Sequence, residues 1–437
     1  MIKNKTKKKT KKKTKKKTKK KTKNKTNNST NKISQKLNLT ISNKTNTFVK
    51  LVEIINSNID NEEKTYHIKE YFKFLIDNNK SKEYEKHFVS FSKKIQGRSG
   101  AVIGYLDNNP NIVIKKNTYS RININSIIKY NKCLFLNKKF NELVINNILS
   151  KPQLFEKFTK KELKLYNRYI LKIKDSYISD KGVNKGVYLL FPLIGYQYEN
   201  FNHTNLEDIL IHNHLPIIKE MIIKNDTKSL NLYDKFLSDY IFVPYIKTLK
   251  ILQNKFKYVH SDLKLDNIFI KKIKNNNSKY NKLRLMGIIV DIIPLFADFD
   301  KVSITVNDLK IISTTGNLKK IFMYLSNDII GKVRHKCKTE FGIELCNKFS
   351  IYDFDLLTIL FSIYITIYQT ELKYKVKIIE TLDHLKKLFI KHLKLSDSDF
   401  QSIIKIIRSS SIKKNTRISF HKHIGWKLKL FCKRNIK

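Results

Sequence analysis

The chain is short of the residues that punctuate and cross-link small folds. Its 437 residues include 11 Gly, 6 Pro, 4 Cys and 1 Trp, and alanine occurs only at Ala101 and Ala297. A collagen-like or Gly/Pro-rich low-complexity chain is excluded. None of Cys133, Cys337, Cys346 and Cys432 forms a C-x-x-C pair. Four such cysteines cannot staple a chain this long, so free thiols in a reducing interior are expected rather than a secreted disulfide scaffold. Long apolar runs are missing too. The longest nearly uncharged one, Leu356 to Tyr368, would span about 20 Å as a helix, short of a bilayer, and reads as a buried core helix. The N-terminus has charge but no apolar segment behind it, so it is no secretory signal. A soluble intracellular protein without a membrane partner is expected, with cytoplasm, nucleus and virion left open.

Acidic residues are scarce as well. Thirty-seven Asp+Glu stand against 88 Lys+Arg, a net charge of +51. Residues 1–50 hold 20 Lys and no carboxylate, the first being Glu53, which leaves +31 on the rest. Residues 3–26 repeat a K-K-K-T pattern. Like charges repel and nothing apolar can be buried there, so residues 1–46 read as a disordered arm able to meet nucleic acid or another acidic partner. Composition bias toward Lys, Asn and Ile would also generate such charge. What the chain does have is 41% hydrophobic residues, with 26 Phe and 22 Tyr, enough for a sizeable core in roughly two to three domain-sized units.

From Phe48 apolar residues recur at helical spacing, which predicts a helical extension over 47–90. A Gly-bearing segment, Ile95 to Gly104, then leads to an apolar strand at Ile112–Ile114. A helix is expected over 138–149, a buried strand over Val187–Ile194, and a long helix over about 232–253. Strand-like and loop-like sequence follows to about 305, and the remainder is mainly helical. Strands first and helices later imply an α+β plan in two lobes, with divisions at 91–194 and 195–437. The pairs His212/His214 and His421/His423 have no Cys or carboxylate at ligand spacing, so exposed helix histidines are expected there.

The segment richest in chemistry is Y-V-H-S-D-L-K-L-D-N-I-F-I, Tyr258 to Ile270. Phosphoryl transfer needs a carboxylate to accept a hydroxyl proton, an amide oxygen for a metal and a cation near the moving phosphate. Asp262, Asn267 and Lys264 offer these three in one short loop before an apolar strand. Other segments stand in suggestive order around it: I-Q-G-R-S-G-A-V-I-G at Ile95–Gly104, I-V-I-K at Ile112–Lys115, and F-N-E-L-V-I-N-N-I-L around Glu142. G-V-Y-L-L-F-P-L-I-G follows at Gly186–Gly195, then F-A-D-F-D at Phe296–Asp300 and D-L-L-T-I-L-F-S-I-Y from Asp355. In the I-V-I-K strand, alternation puts Lys115 on the face of Val113 and Lys116 on the other.

Taken together these segments resemble the protein kinase superfamily over about residues 91–430, in a style similar to the serine/threonine kinases of large DNA viruses. The first segment resembles the catalytic loop H-R-D-L-K-x-x-N. The resemblance implies a small β-rich lobe and a larger helical lobe, with ATP and Mg²⁺, or Mn²⁺, between them and a protein Ser/Thr hydroxyl as acceptor. It implies Asp262 as the proton acceptor, Lys264 beside the transferred phosphate, and Asn267 and Asp298 as metal ligands, with Asp291 a rival to Asp298. Gly97, Gly100 and Val102 match the phosphate-covering loop, with Ile95 where its first Gly belongs. Lys115 would hold the α- and β-phosphates and Glu142 would pair with it. Phe191 would be the gatekeeper, and Pro192, Leu193 and Ile194 would face adenine. Asp355, or alternatively Asp353, would hold the catalytic-loop backbone. The chain departs from the family at Ser261, in place of Arg, and at Asp300, in place of a Gly with positive-φ freedom. An A-P-E ending is not visible in 303–350. These departures keep a catalytically weak scaffold in play beside an active enzyme; a small-molecule phosphotransferase and a nucleic-acid-binding protein are the remaining alternatives.

Overall fold

A computed structural model describes residues 51, 53–54, 57, 59–77, 86–90, 101–118, 128–130, 133–179, 186–192, 196–198, 201–273, 278–314 and 352–410. The chain divides into a unit of Met1–Glu53 and a unit of Ile54–Lys437. Of the first, only Leu51 and Glu53 are described, both helical. The Lys/Thr arm therefore lies outside the described residues, as do Ile95, Gly97, Gly100, Leu193, Ile194, the two C-terminal histidines and residues 315–350 of the stretch in which an A-P-E ending was sought.

The second unit is α+β. In chain order it opens with α1 (Asn61–Asp77), β1 (Phe88–Ser90), β2 (Ala101–Leu106) and β3 (Asn109–Thr118). These are followed by β4 (Ile128–Tyr130), β5 (Cys133–Asn137), α2 (Lys138–Ser150), α3 (Lys160–Tyr169), β6 (Asp175–Ser179) and β7 (Gly186–Pro192). An antiparallel sheet runs in the order β1-β2-β3-β7-β6. It begins at Phe88, inside the stretch expected to be only helical. The Gly-bearing segment joins β1 to β2, which pair with Ser90 opposite Gly104. Gly104 has to be Gly: a Cβ there would lie 2.4 Å from both the Phe88 ring and the Val89 carbonyl oxygen.

Alternation in β3 gives the sheet its two faces. One buries Ile114 with Leu106, Tyr177, Tyr188 and Leu190, where the Tyr177 and Tyr188 rings stack 4.3 Å apart. Lys116 lies on this face, its ammonium 5.3 Å from the centre of the Tyr188 ring, as an aliphatic stem with a cationic tip can. The other face presents Lys115 and Asn117 to α2.

The chain continues through two short strands, β8 (Tyr196–Tyr198) and β9 (Phe201–His203), into α4, residues 206–223, and α5, residues 227–256. Both helices are interrupted by π-helical turns, at Leu210–His214 and at Phe236–Phe242. Each wide turn sits just before a proline, Pro216 or Pro244. A proline has no N–H for the ladder and crowds the carbonyl four residues back, and a locally widened helix accommodates both. His214, expected to be exposed, is instead fully buried. Its Nε2 bonds the Ile289 carbonyl at 3.0 Å and its Nδ1 meets the Tyr233 hydroxyl at 3.3 Å, so both ring nitrogens are satisfied inside the core.

After α5 come β10 (Ile268–Lys272) and β11 (Ile292–Phe296), which pair with each other. Next are β12 (Ser303–Val306) and β13 (Leu309–Thr314), and then the helices α6 (Asp353–Tyr374), α7 (Asp383–Leu393) and α8 (Asp397–Ser410). The apolar run from Leu356 lies inside α6 and is largely buried. No helix among the described residues is long and apolar enough to cross a membrane.

A second sheet runs β12-β13-β5-β4, in which β13 pairs parallel with β5. It thus ties the strand that leads into α2 to the strand that follows the F-A-D-F-D segment. At the head of that segment Phe296 is fully buried. Its ring stacks on Tyr245 at 3.9 Å and meets Tyr258 edge-on. Phe296→Ala is expected to lower unfolding free energy by about 3–5 kcal/mol through lost burial and the cavity left behind, read as an earlier urea midpoint at unchanged slope.

Candidate functional site

The site is built around one ammonium group. β3 delivers Lys115, whose Nζ lies 2.6 Å from Glu142 Oε1 on α2 and 2.6 Å from Asp298 Oδ1 in the turn after β11. Burial opposes the charge on Lys115, but Asp298 and Glu142 outweigh it and hold its pKa above the usual lysine value. For Glu142 burial wins over Lys115 and raises the carboxyl pKa. For Asp298 burial pushes up, but Lys115 more than compensates and the pKa falls. Asn117, two residues along the same strand face, donates to the second oxygen of Glu142 at 2.9 Å.

Why α2 can offer a buried carboxylate is written in its neighbours. Asn137 caps the helix, its side-chain oxygen accepting from the Lys139 and Phe140 N–H groups, a favoured N-cap arrangement. Every residue from Phe140 to Leu149 is buried. The polar ones among them are used: Asn146 donates to the Glu142 carbonyl, and Asn147 donates to the Leu143 carbonyl and to Ser176. Asn141 donates to the carbonyls of Phe299, Asp300 and Val302 at 3.3, 3.4 and 2.9 Å. Lys138 at the helix start pairs with Asp300. The helix is therefore fastened to the F-A-D-F-D segment at several points as well as to Lys115.

That fastening explains the residue in the glycine position. The left-handed backbone of this turn belongs to Asp298, at φ +56°, while Asp300 is not among the positive-φ residues. No glycine freedom is required at 300, and a carboxylate there finds Lys138. The rival Asp291 is committed elsewhere: Arg284 donates to it from Nε at 3.1 Å and Nη2 at 2.7 Å.

The loop at 258–267 is held from below by α6. Asp355, buried, accepts the His260 N–H at 2.7 Å and the Ser261 N–H at 2.9 Å. The choice left open between Asp355 and Asp353 falls on Asp355. Burial raises its pKa, partly countered by His260. Ser362, two turns further on, accepts the Leu265 N–H at 3.0 Å. Ser261 is left-handed, at φ +64°, a strained conformation for a residue with a Cβ that persists where the surroundings over-determine it. Burial lowers the His260 pKa and so favours the neutral ring, against the pull of Asp355. Its Nε2 lies 2.9 Å from the Ala297 carbonyl, so we assign the proton to Nε2. Its buried Nδ1 has no hydrogen-bond partner, an arrangement that strands an acceptor but no donor. This bond and the Val259–Ser303 bridge join the loop to the Asp298 turn.

Within the loop Asn267 donates from Nδ2 to the Asp262 carbonyl at 2.7 Å, leaving its Oδ1 as the acceptor. Lys264 does not reach Asp262; its ammonium lies 2.5 Å from Asp266 Oδ2. The cation on the Asp262 carboxylate is Lys301, which the sequence reading did not single out. In a chain with 88 Lys+Arg, no local signal marks it.

On the sheet, Phe191 lies opposite Val113 and shares the face of Lys115. Val102 does not: it lies opposite Lys116, and Ile103 lies opposite Lys115. The resemblance to the phosphate-covering loop implies Val102 at the site, but a one-residue difference along a strand reverses the face. The residues with chemistry thus form two connected groups. Lys115, Glu142, Asp298 and Asn117 meet at the sheet and α2; Asp262, Asn267 and Lys301 meet at the loop; and residues 297–303 join them. Among the described residues no three His, Cys, Asp or Glu cluster as a metal cage. A cation held by one carboxylate, one amide oxygen and a nucleotide's phosphates would need none.

No family model matches the chain. Over 126 residues it is 36% identical to a putative serine/threonine-protein kinase of Acanthamoeba polyphaga mimivirus; the match covers 28% of this chain and 16% of that protein.

The Asp355 clasp yields a test that needs no activity. Asp355→Ala is expected to cost roughly 2–5 kcal/mol, because the buried His260 N–H and the half-buried Ser261 N–H lose their acceptor. Asp355→Asn should recover part of this, since its carbonyl oxygen can still accept one of them. Equilibrium urea unfolding of the full chain measures both, and unchanged stability in the Ala variant would sink the assignment.

Proposed function

We propose that this chain is a protein kinase that transfers the γ-phosphoryl group of ATP to Ser/Thr hydroxyls. The observation that carries this reading is the shared ion pair of Lys115 with Glu142 and Asp298, beside a loop in which Asn267 braces Asp262. The sheet order, with Lys115 on the third strand and α2 packed behind it, supports a two-lobed kinase plan with a small lobe over about 91–194 and a large lobe over 195–437. The similarity to the mimivirus protein points the same way over its limited span. Residues 1–46 would be an accessory basic arm for nucleic acid or an acidic partner.

Bound ATP and Mg²⁺ would supply the phosphoryl group and neutralise charge as it moves. The chain's own residues would do the rest. Lys115, charged at any physiological pH, would bind the α- and β-phosphates while Glu142 keeps its side chain aimed. Asn267 Oδ1 and the second oxygen of Asp298 would hold the metal. Asp262 would orient the acceptor hydroxyl and take its proton. Lys264 would swing from Asp266 toward the transferred group, and its presence favours Ser/Thr over Tyr acceptors. Phe191 and Ile103 would line the adenine side, with backbone groups of Pro192, Leu193 and Ile194 beside the base.

Purified full-length protein with Mg²⁺ and γ-labelled ATP, offered a panel of acidic and basic protein substrates, is the test. Wild type is expected to label Ser/Thr at a rate about 10²–10⁴-fold above Asp262→Asn. Equal labelling by the two would sink the kinase reading. ATP binding without transfer would favour a scaffold.

A further inference from the structure

Three lysines reach this site, and the structure separates them by their partners. Lys115 is neutralised by two carboxylates. Lys264 is turned to Asp266. Lys301 alone of the three pairs with Asp262, through Oδ2. It does so from another element, the single turn Phe299–Lys301 that follows Asp298.

The main chain around Lys301 is fixed on both sides. Asn141 on α2 grips the carbonyls of Phe299, Asp300 and Val302. Beyond the turn, Ser303 exchanges both backbone hydrogen bonds with Val259, at 2.9 and 3.0 Å. Val259 is three residues before Asp262, and Ser303 is two residues after Lys301. The two stretches are thus laced together, with the Lys301–Asp262 pair spanning them. On the loop side, Asp355 holds Ser261 in its left-handed conformation immediately before Asp262. A long, flexible lysine side chain attached to such fixed backbone is a directed strut rather than a wandering surface charge.

We infer that Lys301 is a positioning residue for Asp262: it holds Oδ2 so that Oδ1 faces the acceptor hydroxyl. This deepens the kinase reading and rests on it for the identity of the reaction. The aim depends on α2 being seated, because Asn141 and Lys138 fix the turn that bears Lys301.

The experiment has two arms on the full-length chain. The first needs no activity: urea unfolding of wild type, Lys301→Met, Asp262→Asn and the double variant. A double variant that loses less stability than the two single losses combined is expected, because removing either partner already removes the pair. Additive losses would overturn the inference. The second arm is steady-state kinetics. Lys301→Met should lower kcat about ten- to a hundredfold, the range typical of groups that orient a functional one, with KM for ATP nearly unchanged. Lys301→Arg, which keeps the charge, should recover most of the loss. A faster Lys301→Met enzyme would mark a blocking contact and overturn the inference, as would an equal loss in the Arg variant. Coupled unfolding together with no phosphoryl transfer by wild type would uphold the pairing and defeat the kinase reading, so the two failures can be told apart.

Discussion

A buried ammonium shared by two carboxylates is the constraint on which the rest of the structure depends. Taking three charges out of water is costly, and their mutual attraction repays it only when geometry and extra hydrogen bonds are good. Lys115 therefore cannot sit where it does unless the central sheet, α2 and the turn after β11 are all in place. Glu142 is the most buried of the three charges, and its second oxygen is satisfied by Asn117. Asp298 keeps some contact with water. The asymmetry is useful. Glu142 is sealed behind Lys115, while Asp298 stays partly open to water.

Buried polar residues extend this logic outward. Asn141, Asp355 and Ser362 each come from a helix and end on the backbone of the 258–267 loop or the turn after Asp298. Such bonds contribute modestly to stability when made, but leaving their partners dry and unpaired is expensive. They therefore select one arrangement of the loops over near neighbours. The parallel β5–β13 pairing adds a further tie between the entrance of α2 and the strand following the turn that bears Asp298. Together with Lys138–Asp300 it makes α2 and that turn one packed body. The Asp in place of glycine belongs to this design, because the turn places its positive φ at Asp298 instead.

Much of this was legible in the sequence because short-range spacing fixes it. Lys115, Glu142, Asp262, Asn267 and Asp298 were singled out by the resemblance of short motifs to the protein kinase pattern, whereas α2, α5, α6 and the strand at 186–192 followed from periodicity and apolar runs. The resemblance left Asp355 and Asp353 as alternatives for holding the 258–267 loop, and only the contacts of the folded chain choose Asp355. What could not be read depends on register or on distant partners. Val102 and Ile103 differ by one position, and a strand's face is set by pairing that the sequence does not state. His214 looked exposed because its partners, Tyr233 and Ile289, are 19 and 75 residues away. Asn141 looked like any polar helix residue, yet its partners begin 158 residues downstream.

The lysines show the same limit most sharply. Composition makes this chain a candidate for binding anything acidic, and by that measure every lysine is equivalent. Physical chemistry distinguishes them only through surroundings. An exposed lysine is a screened, mobile charge whose pairings are worth little; one held over a ring, as Lys116 is, acts mainly through its stem. Lys115 differs because burial forces it to keep both carboxylates, and Lys301 because its backbone is clamped on either side of a turn. The large positive charge is thus a poor guide to function, whereas the few cations whose freedom has been removed are a good one. Specific chemistry in so basic a chain should be sought where a positive charge has been denied water or denied motion.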